Sequence, residues 1–203
     1  MLKTFSMGGI HPAEQKIAAG KELERLPLPK KLTVMVSQHI GAPAKILVKK
    51  KDKVKAGQVI AESGGFVSAN IHAPVSGSVT KIEEVFDASG YKKPAIVLKV
   101  EGEEWDEGID TGTELIKDIP YTSEEILDKV QKAGIVGMGG ATFPTHVKLK
   151  PPKGMKAESL IINGVECEPY LTIDHRLMLE KGEELMVGTQ ILMKALGVEK
   201  AYI

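Results

Sequence analysis

Two short segments of this 203-residue chain carry the residue types most suited to chemistry. The first is Gly134-Ile-Val-Gly-Met-Gly-Gly-Ala-Thr-Phe-Pro-Thr-His-Val-Lys148. Its glycines at 134, 137, 139 and 140 allow positive φ and a close approach of backbone to a ligand. Pro144 suits the first turn of a helix, where a missing N–H costs nothing. A glycine turn running into a helix N-terminus offers free N–H groups and the positive end of a dipole, a setting for phosphate. The second segment is Ser159-Leu-Ile-Ile-Asn-Gly-Val-Glu-Cys-Glu-Pro169. Its apolar run Leu160–Ile162 reads as a buried strand whose exit carries Asn163, Glu166 and Glu168, and α/β sheets bind ligands at strand exits.

Neither of the best-known phosphate loops is present. No lysine follows the glycines at Walker A spacing, and a helix rather than a strand precedes them. From spacing alone, a tight turn between helices and a ligand loop both remain open. The histidines at 11, 39, 72, 146 and 175 lack zinc spacing, and only His146 falls near the loop. Cys167 is the lone cysteine, which excludes a disulfide framework or a cysteine-ligated cluster within these residues. Its expected role is local packing or hydrogen bonding.

The elements that must position these segments follow from the pattern around them. Between Leu32 and Val100, short Val/Ile-rich runs alternate with turn signals at Gly41-Ala-Pro43, Gly64-Gly65, Ser76-Gly77 and Ser89-Gly90, which predicts a small all-β unit. An acidic, glycine-bearing connector follows. Thr122-Ser-Glu-Glu125 then forms a capping box for a helix faced by Ile126, Leu127 and Val130, with Gly134 at its C′ position. Helices are expected over 172–181 and 183–196, Gly197 as a stop, and a strand from Val198. The expected division is an extended segment over 1–29, a β unit over 30–102, a linker over 103–120 and an α/β unit over 121–203. Basic and acidic residues balance at 27 each, which argues against a nucleic-acid or polybasic membrane partner. Apolar runs fall far short of the roughly 20 residues needed to span a bilayer, so no direct membrane insertion is expected. The first residues lack a signal core, so a cytoplasmic location is expected.

The specific residues add a resemblance. Gly137-Met-Gly-Gly-Ala-Thr-Phe-Pro-Thr145 with Lys148, then Asn163-Gly-Val-Glu-Cys-Glu-Pro169 with Asp174 and Arg176, resembles the flavin- and NADH-binding subunit of respiratory complex I. The likeness is closer to the RnfC subunit of the Rnf ion-translocating electron-transport complex, where Gly8-Gly-Ile-His-Pro12, Leu26-Pro-Leu-Pro29 and Ala73-Pro-Val-Ser-Gly77 also match in order. It covers essentially the whole chain. It implies noncovalent FMN, reduced by NADH, within an electron-input subunit peripheral to the cytoplasmic face of the plasma membrane. The partners implied are the other subunits of that complex.

Carried over by position, Gly137, Gly139, Gly140 and Ala141 cradle the flavin or pyridine nucleotide, and Lys148 opposes phosphate charge. Asn163 and Glu166 bond flavin or ribitol groups, and Glu168 approaches the nicotinamide. Met138 and Val165 stand where the complex I pattern has Arg and Asp, which removes a cation and an acceptor. The last residues, Lys200-Ala-Tyr-Ile203, read as a strand leading to another crossover. The resemblance also implies further flavin segments and 4Fe–4S cysteine repeats beyond residue 203. Residues 1–203 alone are expected to be inactive and to bind FMN weakly or not at all.

Val48-Lys-Lys-Lys-Asp-Lys-Val-Lys-Ala-Gly-Gln58 and Ala73–Gly77 are similar to the two half-motifs of biotinyl/lipoyl carrier domains. The segment between them, Glu62–His72, contains no lysine to carry an amide-linked cofactor. The expected fold is thus a structural barrel-sandwich hybrid followed by a partial Rossmann-like α/β domain. The alternative function is a noncatalytic scaffold with a vestigial nucleotide loop.

Overall fold

The computed structural model describes residues 12–203. Gly8–His11 of the Gly8–Pro12 motif lie outside the described residues.

Seven strands build the first unit: β1 Lys31–Met35, β2 Lys45–Ile46, β3 Lys53–Val54, β4 Val59–Glu62, β5 Ile71–His72, β6 Ser76–Phe86 and β7 Lys92–Gly102. They form two antiparallel sheets, in the orders β1-β7-β6-β3 and β2-β4-β5. Alternating side chains from both sheets fill the space between them with Val34, Val36, Val54, Ile60, Ile71, Val79, Ile96 and Leu98. This aliphatic core matches a chain with few aromatics. The two carrier-like half-motifs meet directly. Gly57 donates its N–H to the Ala73 carbonyl, and Ala73 donates to the Gln58 carbonyl, both at 2.8 Å. The two-residue strands β3 and β5 escape sequence reading because neither is long enough to show a period of two.

The acidic connector is stitched to the barrel. Ala56 donates to the Glu104 carbonyl at 2.8 Å, and Asp106 donates back to the Ala56 carbonyl at 2.9 Å.

The second unit contains α1 Ser123–Lys132, α2 Thr145–Lys148, β8 Leu160–Ile161, α3 Ile173–Glu180, α4 Gly182–Leu196 and β9 Ala201–Tyr202. Thr122 and Glu125 form the expected capping box on α1. Gly197, at φ 72°, ends α4 in the left-handed conformation. Strands β8 and β9 pair in parallel across the α3–α4 crossover. Ile126 and Val130 on α1 pack with Leu149, Ala195, Ile191 and Leu196 to make a second core. Among the described residues, no sheet runs through both units.

One expectation fails here. The Leu160–Ile162 run is not buried: Leu160 is half-covered and Ile161 is 73% exposed. A two-stranded parallel sheet has too few neighbours to cover both of its faces.

Candidate functional site

The end of α1 sets up the glycine loop. Ile135 donates to the Val130 carbonyl at 3.2 Å and Gly134 to the Gln131 carbonyl at 3.1 Å, a Schellman pair turning on Gly134 at φ 67°. The chain then doubles back on itself. Val136 bridges Pro144, Gly137 donates to the Phe143 carbonyl at 2.9 Å, and Thr145 donates to the Ile135 carbonyl at 3.0 Å. Inside this clasp, Thr142 donates to the Gly139 carbonyl at 3.1 Å. The N–H groups of Met138, Gly139, Gly140 and Ala141 find no acceptor among the described residues. These four amides are open to solvent or to an incoming acceptor.

Two features of the loop differ from the sequence reading. Positive φ falls on Gly134 and on Thr142 (φ 44°), and not on Gly137, Gly139 or Gly140. The reversal is made at the loop's two ends, so its centre does not need the left-handed region. Helix α2 has only four residues, so its dipole is small.

The middle glycines are needed for space of different kinds. A side chain at Gly137 would lie 2.8 Å from the Lys148 ammonium, so the lysine folds back over the loop where that side chain is missing. A Cβ at Gly139 or Gly140 would meet nothing within 4 Å. That side of the loop is open, and Met138 at its tip is 92% exposed. Ala141 is exposed as well. Lys148 joins none of the ion pairs among the described residues, so no carboxylate neutralises its charge beside Gly137.

The second segment is organised differently. The Asn163 side-chain oxygen accepts from Val165 N at 3.1 Å, which tightens the exit of β8. The Glu166 oxygen Oε1 accepts from the N–H groups of Asp174 (2.9 Å) and His175 (3.1 Å), capping α3 from outside the helix. Its other oxygen, Oε2, is buried without a partner. Glu166 lines a cavity of about 340 Å³ with Lys16, Leu171, Thr172 and His175. The Glu168 side chain is exposed. Arg176 pairs with Glu180 and donates to the Ala19 carbonyl at 3.3 Å, so it ties the chain together rather than facing a ligand. No hydrogen bond or ion pair among the described residues joins the loop at 137–143 to the segment at 163–168.

Sequence reasoning missed the N-terminal strap across this second segment. Gln15 donates to the Pro169 carbonyl at 3.1 Å. The Lys16 ammonium donates to the carbonyls of Glu168 (2.9 Å) and Leu171 (2.7 Å). Leu23 N–H is held by the Glu180 carboxylate at 3.1 Å. An extended strap has no periodicity, and contacts spanning some 150 residues leave no local signal. His146, expected beside a ligand, is instead 3% exposed, with Nδ1 unpartnered. Cys167 is exposed.

Comparison with known proteins supplies the family. A model of the RnfC barrel sandwich hybrid domain matches residues 3–103, and one of the Nuo51 FMN-binding domain matches residues 130–203. The C subunit of the proton-translocating ferredoxin:NAD(+) oxidoreductase complex of Clostridium ljungdahlii is 49% identical over 100% of this chain. The chain belongs to the RnfC family. The C subunit of the Na(+)-translocating ferredoxin:NAD(+) oxidoreductase complex of Acetobacterium woodii is 44% identical over 97% of the chain. Its counterpart in the ion-translocating oxidoreductase complex of Rhodobacter capsulatus is 44% identical over 100%. The chain spans 44%, 44% and 39% of these three RnfC relatives. All eight site residues read from the sequence fall within the part matched by the FMN-binding domain. Among the described residues, no helix is long and apolar enough to cross a membrane.

Proposed function

We infer that this chain forms the flavin-handling part of the electron-input subunit of an ion-translocating ferredoxin:NAD(+) oxidoreductase complex. The observation that carries the reading is the loop at 138–141, where four amides lack acceptors and the neighbouring Gly137 adjoins the Lys148 ammonium. These groups fit a phosphate, and Gly139 and Gly140 leave open space for the body of a nucleotide. FMN, when bound, splits a two-electron hydride transfer into one-electron steps. The residues proposed to hold it are Gly137, Gly139, Gly140 and Ala141 through backbone, and Lys148 as a point charge. Asn163, Glu166 and Glu168 are proposed to face the flavin and the nicotinamide of NADH. Of these, Glu166 keeps one buried carboxylate oxygen free to accept from a ligand.

The division into a barrel at 30–102, a linker at 103–120 and an α/β unit at 121–203 belongs to the same proposal. So do location at the cytoplasmic face of the membrane, the other subunits as partners, and 4Fe–4S clusters beyond residue 203. Titration of the full-length protein with FMN, followed by NADH-dependent dye reduction, tests the reading. Stoichiometric flavin and NADH oxidation are expected. A full-length protein that binds neither would make the chain a scaffold with a vestigial loop.

A further inference from the structure

The hairpin at 63–72, which in carrier domains presents the cofactor, is packed here against the entrance of the glycine loop. At the entrance to the loop, the Schellman turn satisfies the carbonyls of Val130 and Gln131, and Ala133 satisfies that of Lys129. One terminal carbonyl of α1 is left over, that of Lys132, and a helix end leaves such groups to be met from outside. It accepts from the Asn70 side-chain amide at 3.1 Å. Next to it, Gly134 lies so close to the hairpin that a Cβ there would stand 2.3 Å from the Asn70 carbonyl oxygen and 3.2 Å from the His72 ring.

The hairpin is itself rigidly mounted on the barrel. Ser68 is fully buried and accepts from Gly64 N–H at 2.9 Å. Ala42 donates to the Val67 carbonyl at 3.0 Å, and the Asn70 side-chain oxygen accepts from Ser63 N–H at 2.9 Å. His39 Nε2 accepts from Ala69 N–H at 3.2 Å, which places the ring proton on Nδ1 facing the Ile40 carbonyl at 3.1 Å.

We propose that the barrel hairpin is the positioning clamp of the anion loop: Asn70 fixes the loop's entrance through Lys132 and through its close approach to Gly134. The barrel thereby presets the free amides at 138–141 for their ligand, so little ordering entropy is lost on binding. This rests on the reading of that loop as the phosphate site.

The discriminating variant is Asn70→Asp in the full-length protein. A carboxylate keeps the acceptor for Ser63, inside the barrel. It loses the donor to Lys132 and sets a negative charge against the negative end of α1. Hydrogen exchange of the hydrogen-bonded amides of Gly137, Thr142 and Thr145 is expected to quicken about tenfold, while amides 96–98 in the barrel core keep their protection. The FMN dissociation constant is expected to rise about tenfold. Unchanged loop exchange in Asn70→Asp overturns the clamp, even if Asn70→Ala is damaging, because the residue's role would then lie within the barrel. If the wild type binds no FMN, the phosphate reading fails on its own, and the exchange result still decides the clamp. Should Asn70→Asp not fold, wild-type exchange serves: the hydrogen-bonded amides within 63–72 and 133–146 are expected to open as one unit, and independent opening overturns the proposal.

Discussion

The ammonium of Lys148 occupies the space that Gly137 leaves empty, 2.8 Å from where a Cβ would stand. A cation is thereby folded over a loop whose own amides are unsatisfied. Neither residue makes the site alone. The glycine admits the lysine, and the lysine gives the loop a full charge.

Gly137→Ala tests that pairing. Its φ is ordinary, and the atom it would displace is the end of a flexible side chain, so the fold should accept it. FMN affinity of the full-length protein is expected to fall about tenfold, roughly 1.4 kcal/mol, with the melting temperature little changed. Calorimetric titration beside a melting curve reads both. A large drop in stability with intact affinity would show that Gly137 serves packing rather than the lysine.

The two left-handed glycines that end helices separate strain from crowding. Gly197→Ala meets only backbone strain, since nothing lies within 4 Å, and should cost about 1–2 kcal/mol. Gly134→Ala adds a clash with the Asn70 carbonyl and should cost about 2–4 kcal/mol. Urea unfolding measures the difference. Equal costs would mean that the barrel hairpin yields easily and does not fix α1.

Much of this arrangement is legible in the sequence, and the remainder fails for physical reasons. The capping box at Thr122, the stops at Gly134 and Gly197, and the long strands announce themselves through local chemistry and periodicity. The tie from Asn70 to Lys132 and the strap from Lys16 to Glu168 join residues 62 and 152 positions apart, and no local pattern encodes such distances. Reading the glycines at 137, 139 and 140 as positive-φ residues misassigned their use, whereas Gly134 has the positive φ expected of it. Gly137 is small for the sake of Lys148, while the strained conformation falls on Thr142. Glu166 was legible as a polar residue at a strand exit, but its capping of α3 depends on the tertiary fold.

Acidification should loosen the join between the two units. Burial holds His146 below its ordinary 6.5, Lys150 adds to this, and the Phe66 backbone opposes it. Burial likewise lowers His72, against the pull of the Lys132 carbonyl. Both imidazoles are therefore neutral in the fold at neutral pH, while the unfolded chain takes up protons near pH 6.5. Their contribution to stability is complete above that value and is lost as pH falls from it through the lowered folded values. Urea midpoints measured from about pH 7.5 down to about pH 5 should decline, and less steeply in His146→Leu. An identical slope in that variant would exclude His146 as a source.

The central claim is that the loop at 137–141 with Lys148 holds the FMN phosphate. The most direct measurement is flavin occupancy of purified full-length Gly139→Val and Gly140→Val proteins, beside circular dichroism of each. Both positions have ordinary φ and face open space, so the folded state should be retained. A valine there fills the volume assigned to the nucleotide, and the account predicts folded proteins without bound flavin. Full flavin occupancy in both variants would contradict it and place the cofactor elsewhere.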